Sequence, residues 1–148
     1  MFTLLFSACL LLDDSGEPKV CTDIGCLDGV SLDFSLSDPG SYVIIATTTP
    51  DHGVTQCTAT LPFDGTEGCT GPGLIGISGT ELPADQQSIE GMTLTFTDLT
   101  EIHLNVNLDG ATLIDHAYPV SYVISQPNGP DCDPTCSSDS IECAVGDL

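Results

Sequence analysis

From Val30 onward apolar and polar residues alternate with period two: Val30, Leu32, Phe34 and Leu36 are separated by Ser31, Asp33 and Ser35. Side chains at every second position share one face of a strand, so this is a half-buried strand with an apolar face and a wet one. After the Asp38-Pro39-Gly40 turn, Tyr42 to Thr49 is a β-branched run apolar on both faces, which predicts a central strand. Pro50 to Gly53 turns the chain, and Val54 to Leu61 returns with Cys57, Ala59 and Leu61 on one face. The segment from Pro62 to Pro72 reads as a loop, and Leu74 to Ser78 as a short strand thinned by Gly76. Met92, Leu94 and Phe96 alternate with threonines, and Ile102, Leu104 and Val106 alternate with His103, Asn105 and Asn107. Asp109-Gly110 tolerates the positive φ angles of a type I′ turn, so Ala111 to His116 is expected to pair back on Ile102 to Leu108. Val120, Tyr122 and Ile124 supply the last expected strand, and helical periodicity is confined to about one turn near Pro83 to Ser88.

These elements predict an all-β chain, a single antiparallel β-sandwich of immunoglobulin-like kind with seven to eight strands. With no tryptophan in the sequence, an antibody-type domain with its buried Trp is not expected. The expected organisation is a signal or lipoprotein segment over 1–12, a flexible polar tether over 13–20, the sandwich over 21–136 and an acidic tail over 137–148.

The N-terminus changes the picture most. Small residues Ser7 and Ala8 before Cys9 close an apolar stretch in the manner of a bacterial lipoprotein export signal, and Cys9 is the expected lipidation site. The stretch lacks a basic start and continues through Leu10-Leu11-Leu12, so an uncleaved or differently cleaved signal is the competing reading. Even through Leu12 it is shorter than the roughly 20 residues a spanning helix needs. Membrane attachment is therefore expected only through a lipid at Cys9.

Eight cysteines in 148 residues fit an oxidising compartment. Cys21 and Cys26 precede the first strand, Cys57 and Cys69 bracket the central loop, and Cys132, Cys136 and Cys143 follow the last expected strand. The expected disulfides join Cys57 to Cys69, and Cys21 and Cys26 to Cys132 and Cys136 in either combination. That leaves Cys143 free or bonded to another chain, or paired with Cys9 if Cys9 carries no lipid. Cys-x4-Cys and Cys-x3-Cys are not the tight spacings of zinc knuckles.

Charge narrows the partners. Twenty-two acidic residues face one base, Lys19, for a formal net charge of −21. Affinity for phosphate polymers depends on Lys and Arg displacing counterions, so nucleic acid is excluded as a partner and a protein or glycan is expected. The same self-repulsion suggests a salty or cation-rich habitat.

Candidate chemistry is sparse. Asp131 and Asp133, with Asp139 and Glu142, offer oxygens to calcium, although the spacing lacks the glycine and terminal Glu of an EF-hand loop. His103 and His116 flank the Asp109-Gly110 turn on facing strands and, with Asp115, are weak candidates for a metal site or a proton shuttle. No Gly-x-Ser-x-Gly elbow, phosphate loop or dinucleotide fingerprint occurs, and no cofactor is expected. The string Gln126-Pro127-Asn128-Gly129-Pro130-Asp131-Cys132-Asp133-Pro134-Thr135-Cys136, together with Cys21-Thr22-Asp23-Ile24-Gly25-Cys26, resembles small cysteine-containing lipoproteins and secreted proteins of myxobacterial type. That resemblance implies a surface-anchored β domain without an assigned activity. The expectation is a noncatalytic extracytoplasmic module, at the outer membrane or cell surface or secreted. The alternative is a metal-dependent or calcium-binding exported protein, including a hydrolase using His103 and His116.

Overall fold

The structure, a computed structural model, describes residues 21–22 and 24–148, together with the backbone of two short strands before them. Those two, β1 (Leu11–Leu12) and β2 (Pro18–Lys19), form a two-residue antiparallel ladder. The rest of the expected signal segment and tether, Cys9 included, lies outside the described residues.

Ten further strands form two five-stranded sheets. The first has the order β10 (Ala111–Pro119), β9 (Glu101–Leu108), β4 (Gly40–Thr49), β5 (Val54–Leu61), β6 (Gly68–Thr70). The second runs β11 (Val123–Ser125), β12 (Cys136–Glu142), β3 (Gly29–Leu36), β8 (Ser88–Leu94), β7 (Gly73–Ser78). Alternation explains why the sheets face each other. β3 buries Val30, Leu32, Phe34 and Leu36, and β8 adds Ile89, Met92 and Leu94. The other sheet supplies Tyr42, Ile44 and Ala46, with Cys57, Ala59 and Leu61, and Ile102, Leu104 and Val106. All belong to one hydrophobic core. Burial of this kind is the main favourable term in folding, about 25 cal/mol per Å² of apolar surface.

β4 is the middle strand of its sheet, as its two-faced apolar run requires. Asp109 (φ 49°) and Gly110 (φ 85°) adopt the positive φ values of the expected hairpin turn. Here Asp109 also ties the hairpin to β4: its N–H donates to the Ser41 carbonyl at 2.9 Å and its Oδ1 accepts from the Ser41 N–H at 3.0 Å. The single expected helical turn is a 3-10 turn over Ala84–Gln86.

Four expectations are corrected. The strand count is ten in the two sheets, not seven to eight, because β6 lies within the expected loop and β12 within the expected tail. The sheets are not wholly antiparallel, since β12 runs parallel to β3 with Ser138 opposite Gly29 and Glu142 opposite Asp33. Residues 137–148 are therefore not simply a tail. The sequence Cys-Ser-Ser-Asp-Ser-Ile-Glu lacks apolar alternation, and β12 is held in the sheet by its backbone ladder, the anchoring of Cys136, the Ser140 hydroxyl donating to Asp33 Oδ2, and Ile141 alone packing against the core. The expected final strand shrinks to β11, a three-residue edge whose residues are all exposed.

Candidate functional site

A clasp joins residues 21–28 to the proline-rich residues 126–136. Two disulfides close it, Cys21–Cys132 and Cys26–Cys136, with Cα–Cα distances of 5.8 and 6.0 Å. Between them sits Asn128, only 6% exposed. Its Oδ1 accepts from the Ile24 N–H at 2.7 Å and the Thr22 hydroxyl at 2.9 Å, while its Nδ2 donates to the Asp133 carbonyl at 2.5 Å. One buried amide thus satisfies donors from one chain end and an acceptor from the other. The Asp28 carboxylate extends the clasp by accepting from the Ser137 N–H at 2.7 Å, at the start of β12. Sequence reading placed the cysteines here but missed Asn128, whose one signal was its position in a Pro-Asn-Gly-Pro turn.

The third disulfide, Cys57–Cys69, crosses directly between partnered positions of β5 and β6. Cys143, free and 6% exposed, sits past the end of β12. Its N–H donates to the Asp33 carbonyl at 2.8 Å. Burial pushes its thiol up to about 11, with Asp147 and Asp33 adding to the rise and a Tyr118 hydrogen bond opposing it. A buried thiol beside carboxylates stays protonated at neutral pH and is a poor nucleophile. Tyr118 is held protonated by burial and by donating its hydroxyl to Asp147 Oδ2 at 2.7 Å. That bond, followed by one from the Ala144 N–H, lowers the Asp147 carboxyl below its ordinary value.

The histidines do not assemble into one site. His103 lies opposite Ala117, whereas His116 lies opposite Leu104, so the two side chains point to opposite faces of the sheet. The expected His103/His116 pair is therefore not formed. Instead, His103 Nε2 meets Asp115 Oδ1 at 2.9 Å on the outer face, and His116 lies against the Tyr118 ring with centroids 4.8 Å apart. The remaining histidine, His52, meets Asp98 Oδ1 at 2.9 Å and stacks on Phe96 at 4.4 Å. Both His–Asp pairs are substantially solvent-exposed. Asp131 takes positive φ in the turn before Cys132, and its N–H donates to Gln126 Oε1 at 3.3 Å. The Asp133 carbonyl accepts from Asn128 within the clasp. Asp139 lies on β12, where its Oδ2 accepts from the Ser121 N–H at 2.7 Å, and Glu142 lies opposite Asp33. Among the described residues no three His, Cys, Asp or Glu side chains are grouped to hold a metal ion.

No family model matches the chain, and no curated protein or solved structure matches it either. Three disulfides point to a non-cytoplasmic, oxidising environment.

Proposed function

We propose that this protein is a noncatalytic extracytoplasmic module that displays a disulfide-locked sandwich at the cell surface or envelope, tethered by a lipid on Cys9. The observation that carries the reading is the clasp. Two disulfides and Asn128 bind the segment just after the tether to the last strands of the domain, so pulling on the anchor loads a covalently closed body. Among the described residues the one free thiol is buried and protonated, and the histidines lie in three separate places.

The immunoglobulin-like reading belongs here too. The run β10-β9-β4-β5-β6 matches the G-F-C-C′-C″ order of a variable-type domain, and β3-β8-β7 matches B-E-D. The C-terminal β12 occupies the place beside β3 that strand A would take, in parallel rather than antiparallel sense. Such a scaffold serves many binding roles, and the partner expected is a protein or glycan rather than a nucleic acid.

Intact-mass measurement on protein extracted from its own cells, with protease treatment of intact cells beside it, tests the reading. The expected result is a diacyl- or triacyl-modified N-terminal cysteine on a protein cleaved from outside. An unmodified Cys9 removes the anchor, and protection from external protease with all thiols reduced removes the whole proposal.

A further inference from the structure

Of the asparagines in the chain, Asn105, Asn107 and Asn128, only Asn128 is followed by glycine. Without a Cβ, Gly129 leaves its own nitrogen open to the side chain that precedes it. Given freedom, that nitrogen attacks Asn128 Cγ and the dipeptide closes to a succinimide. The N–Cγ bond forms, the Cγ–Nδ2 bond breaks, and ammonia leaves carrying the Gly129 amide proton. Water then opens the ring at either carbonyl, to aspartate or to isoaspartate. The reaction needs no enzyme, metal or oxidant.

The fold restrains each group this reaction uses. Asn128 Oδ1 accepts from the Ile24 N–H and the Thr22 hydroxyl, and Nδ2 donates to the Asp133 carbonyl. The nucleophile is occupied as well, because the Gly129 N–H donates to the Gln126 carbonyl at 3.0 Å. A second turn follows at once, closed by the Cys132 N–H on the Gly129 carbonyl at 3.1 Å, and Pro127 and Pro130 fix φ on either side of the pair. Burial keeps Asn128 from the water that would open the ring. Position ties these restraints to the clasp. Thr22 and Ile24 lie between Cys21 and Cys26, and Asp133 between Cys132 and Cys136, so the two disulfides enclose every side-chain bond of Asn128.

We infer that Asn128-Gly129 is a self-modification site gated by the clasp: it keeps its amide while both disulfides are closed and converts to aspartate and isoaspartate once they open. Opening takes an external dithiol, which gives two electrons and two protons to each disulfide and is itself oxidised to a disulfide. Conversion makes the opening one-way. Both products lack the Nδ2 donor to Asp133, and isoaspartate adds a methylene to the main chain, which shifts the carboxylate away from Thr22 and Ile24. A clasp re-oxidised promptly closes on the original network, whereas one re-oxidised after conversion closes on a broken one. The pair therefore marks a domain that has met reducing conditions. The inference goes beyond the display reading and stands whether or not Cys9 carries a lipid.

Peptide mapping of the full chain during incubation at mildly alkaline pH tests it, reading the amide-to-acid mass gain and the isoaspartate content of the peptide that holds Asn128. Fully oxidised protein should keep its amide, and protein held in a dithiol should convert at least about tenfold faster, because the anchoring hydrogen bonds no longer have to break first. The pair Cys57→Ser and Cys69→Ser leaves the clasp closed and should convert no faster than wild type. Thr22→Val removes one anchor with all three disulfides in place and should convert about fivefold faster than wild type, which reads the gating even if the reduced chain unfolds. Reduced protein re-oxidised early should regain its urea midpoint, and protein re-oxidised after conversion should fall short of it. Four results overturn the inference: oxidised protein losing the amide as fast as reduced protein, reduced protein keeping it, an unchanged rate in Thr22→Val, or fully converted protein regaining the original midpoint. Acceleration by the Cys57 and Cys69 substitutions would overturn it too, by moving the gate away from the clasp.

Discussion

Asn128 and Cys143 are the two residues whose environments make sharp demands. Removing the Asn128 amide leaves the Ile24 N–H and the Asp133 carbonyl to find other partners in a part-buried clasp, and each unsatisfied group costs about 1 to 3 kcal/mol. Asn128→Ala should therefore lower urea stability by roughly 2 to 4 kcal/mol with the disulfides intact. Asn128→Asp should fall between, since it keeps the acceptor for Ile24 but turns a carboxylate toward the Asp133 carbonyl. For Cys143 the folded thiol titrates at about 11, above its ordinary 9.0. A group with a raised folded pKa contributes fully below the unfolded value and loses that contribution as pH rises through the folded one. Stability should accordingly decline between pH 9 and about 11, with a shallower decline in Cys143→Ala, as read by denaturant melts. At pH 8 the native thiol should resist alkylation and react promptly once the chain is unfolded.

At the level of elements, β12 decides how the second sheet is built. Cys143 N–H donates to the Asp33 carbonyl, continuing the parallel ladder between β12 and β3. Ile141→Pro, two residues earlier, should break that ladder and cost at least about 2 kcal/mol by thermal or urea melts, whereas in a free tail it would cost nothing. β3, β5 and β9 were legible because alternation alone reports a half-buried strand, and β4 because a β-branched run flanked by turns reports a central one. β12 was hidden because its hold is mostly backbone, disulfide and polar side-chain bonds, and its single core-packed residue, Ile141, gives no alternation to read. The separation of His103 from His116 was equally hidden: it follows from a bulge between Thr112 and Ile114, and a one-residue change of register reverses every side chain after it.

Across the whole molecule, two disulfides run side by side between the same two segments, so they are not independent. Either one closes a loop of about 110 residues, worth about 5 kcal/mol of lost chain entropy. With the first closed, the second encloses only the short stretches between them and adds about 3 kcal/mol. Removing Cys21–Cys132 or Cys26–Cys136 singly should therefore cost about 3 kcal/mol, and removing both about 8, a loss larger than the sum of the two. Cys57–Cys69, closing a separate 12-residue loop, should add its own roughly 3 kcal/mol whatever the state of the other two. The charge of −21 acts on the same scale: melting temperature should rise as salt increases from about 20 mM to physiological strength. What binds the module was not legible, since exposed polar strands carry no reactive cluster to name a ligand. The central claim is an oxidised two-sheet body clasped end to end outside the cytoplasm. Non-reducing peptide mapping of protein taken from its own cells addresses it most directly. The account predicts peptides linked through Cys21–Cys132, Cys26–Cys136 and Cys57–Cys69 with Cys143 as a free thiol; recovery of these seven cysteines fully reduced, or of Cys143 bridged to any of the other six, would contradict it.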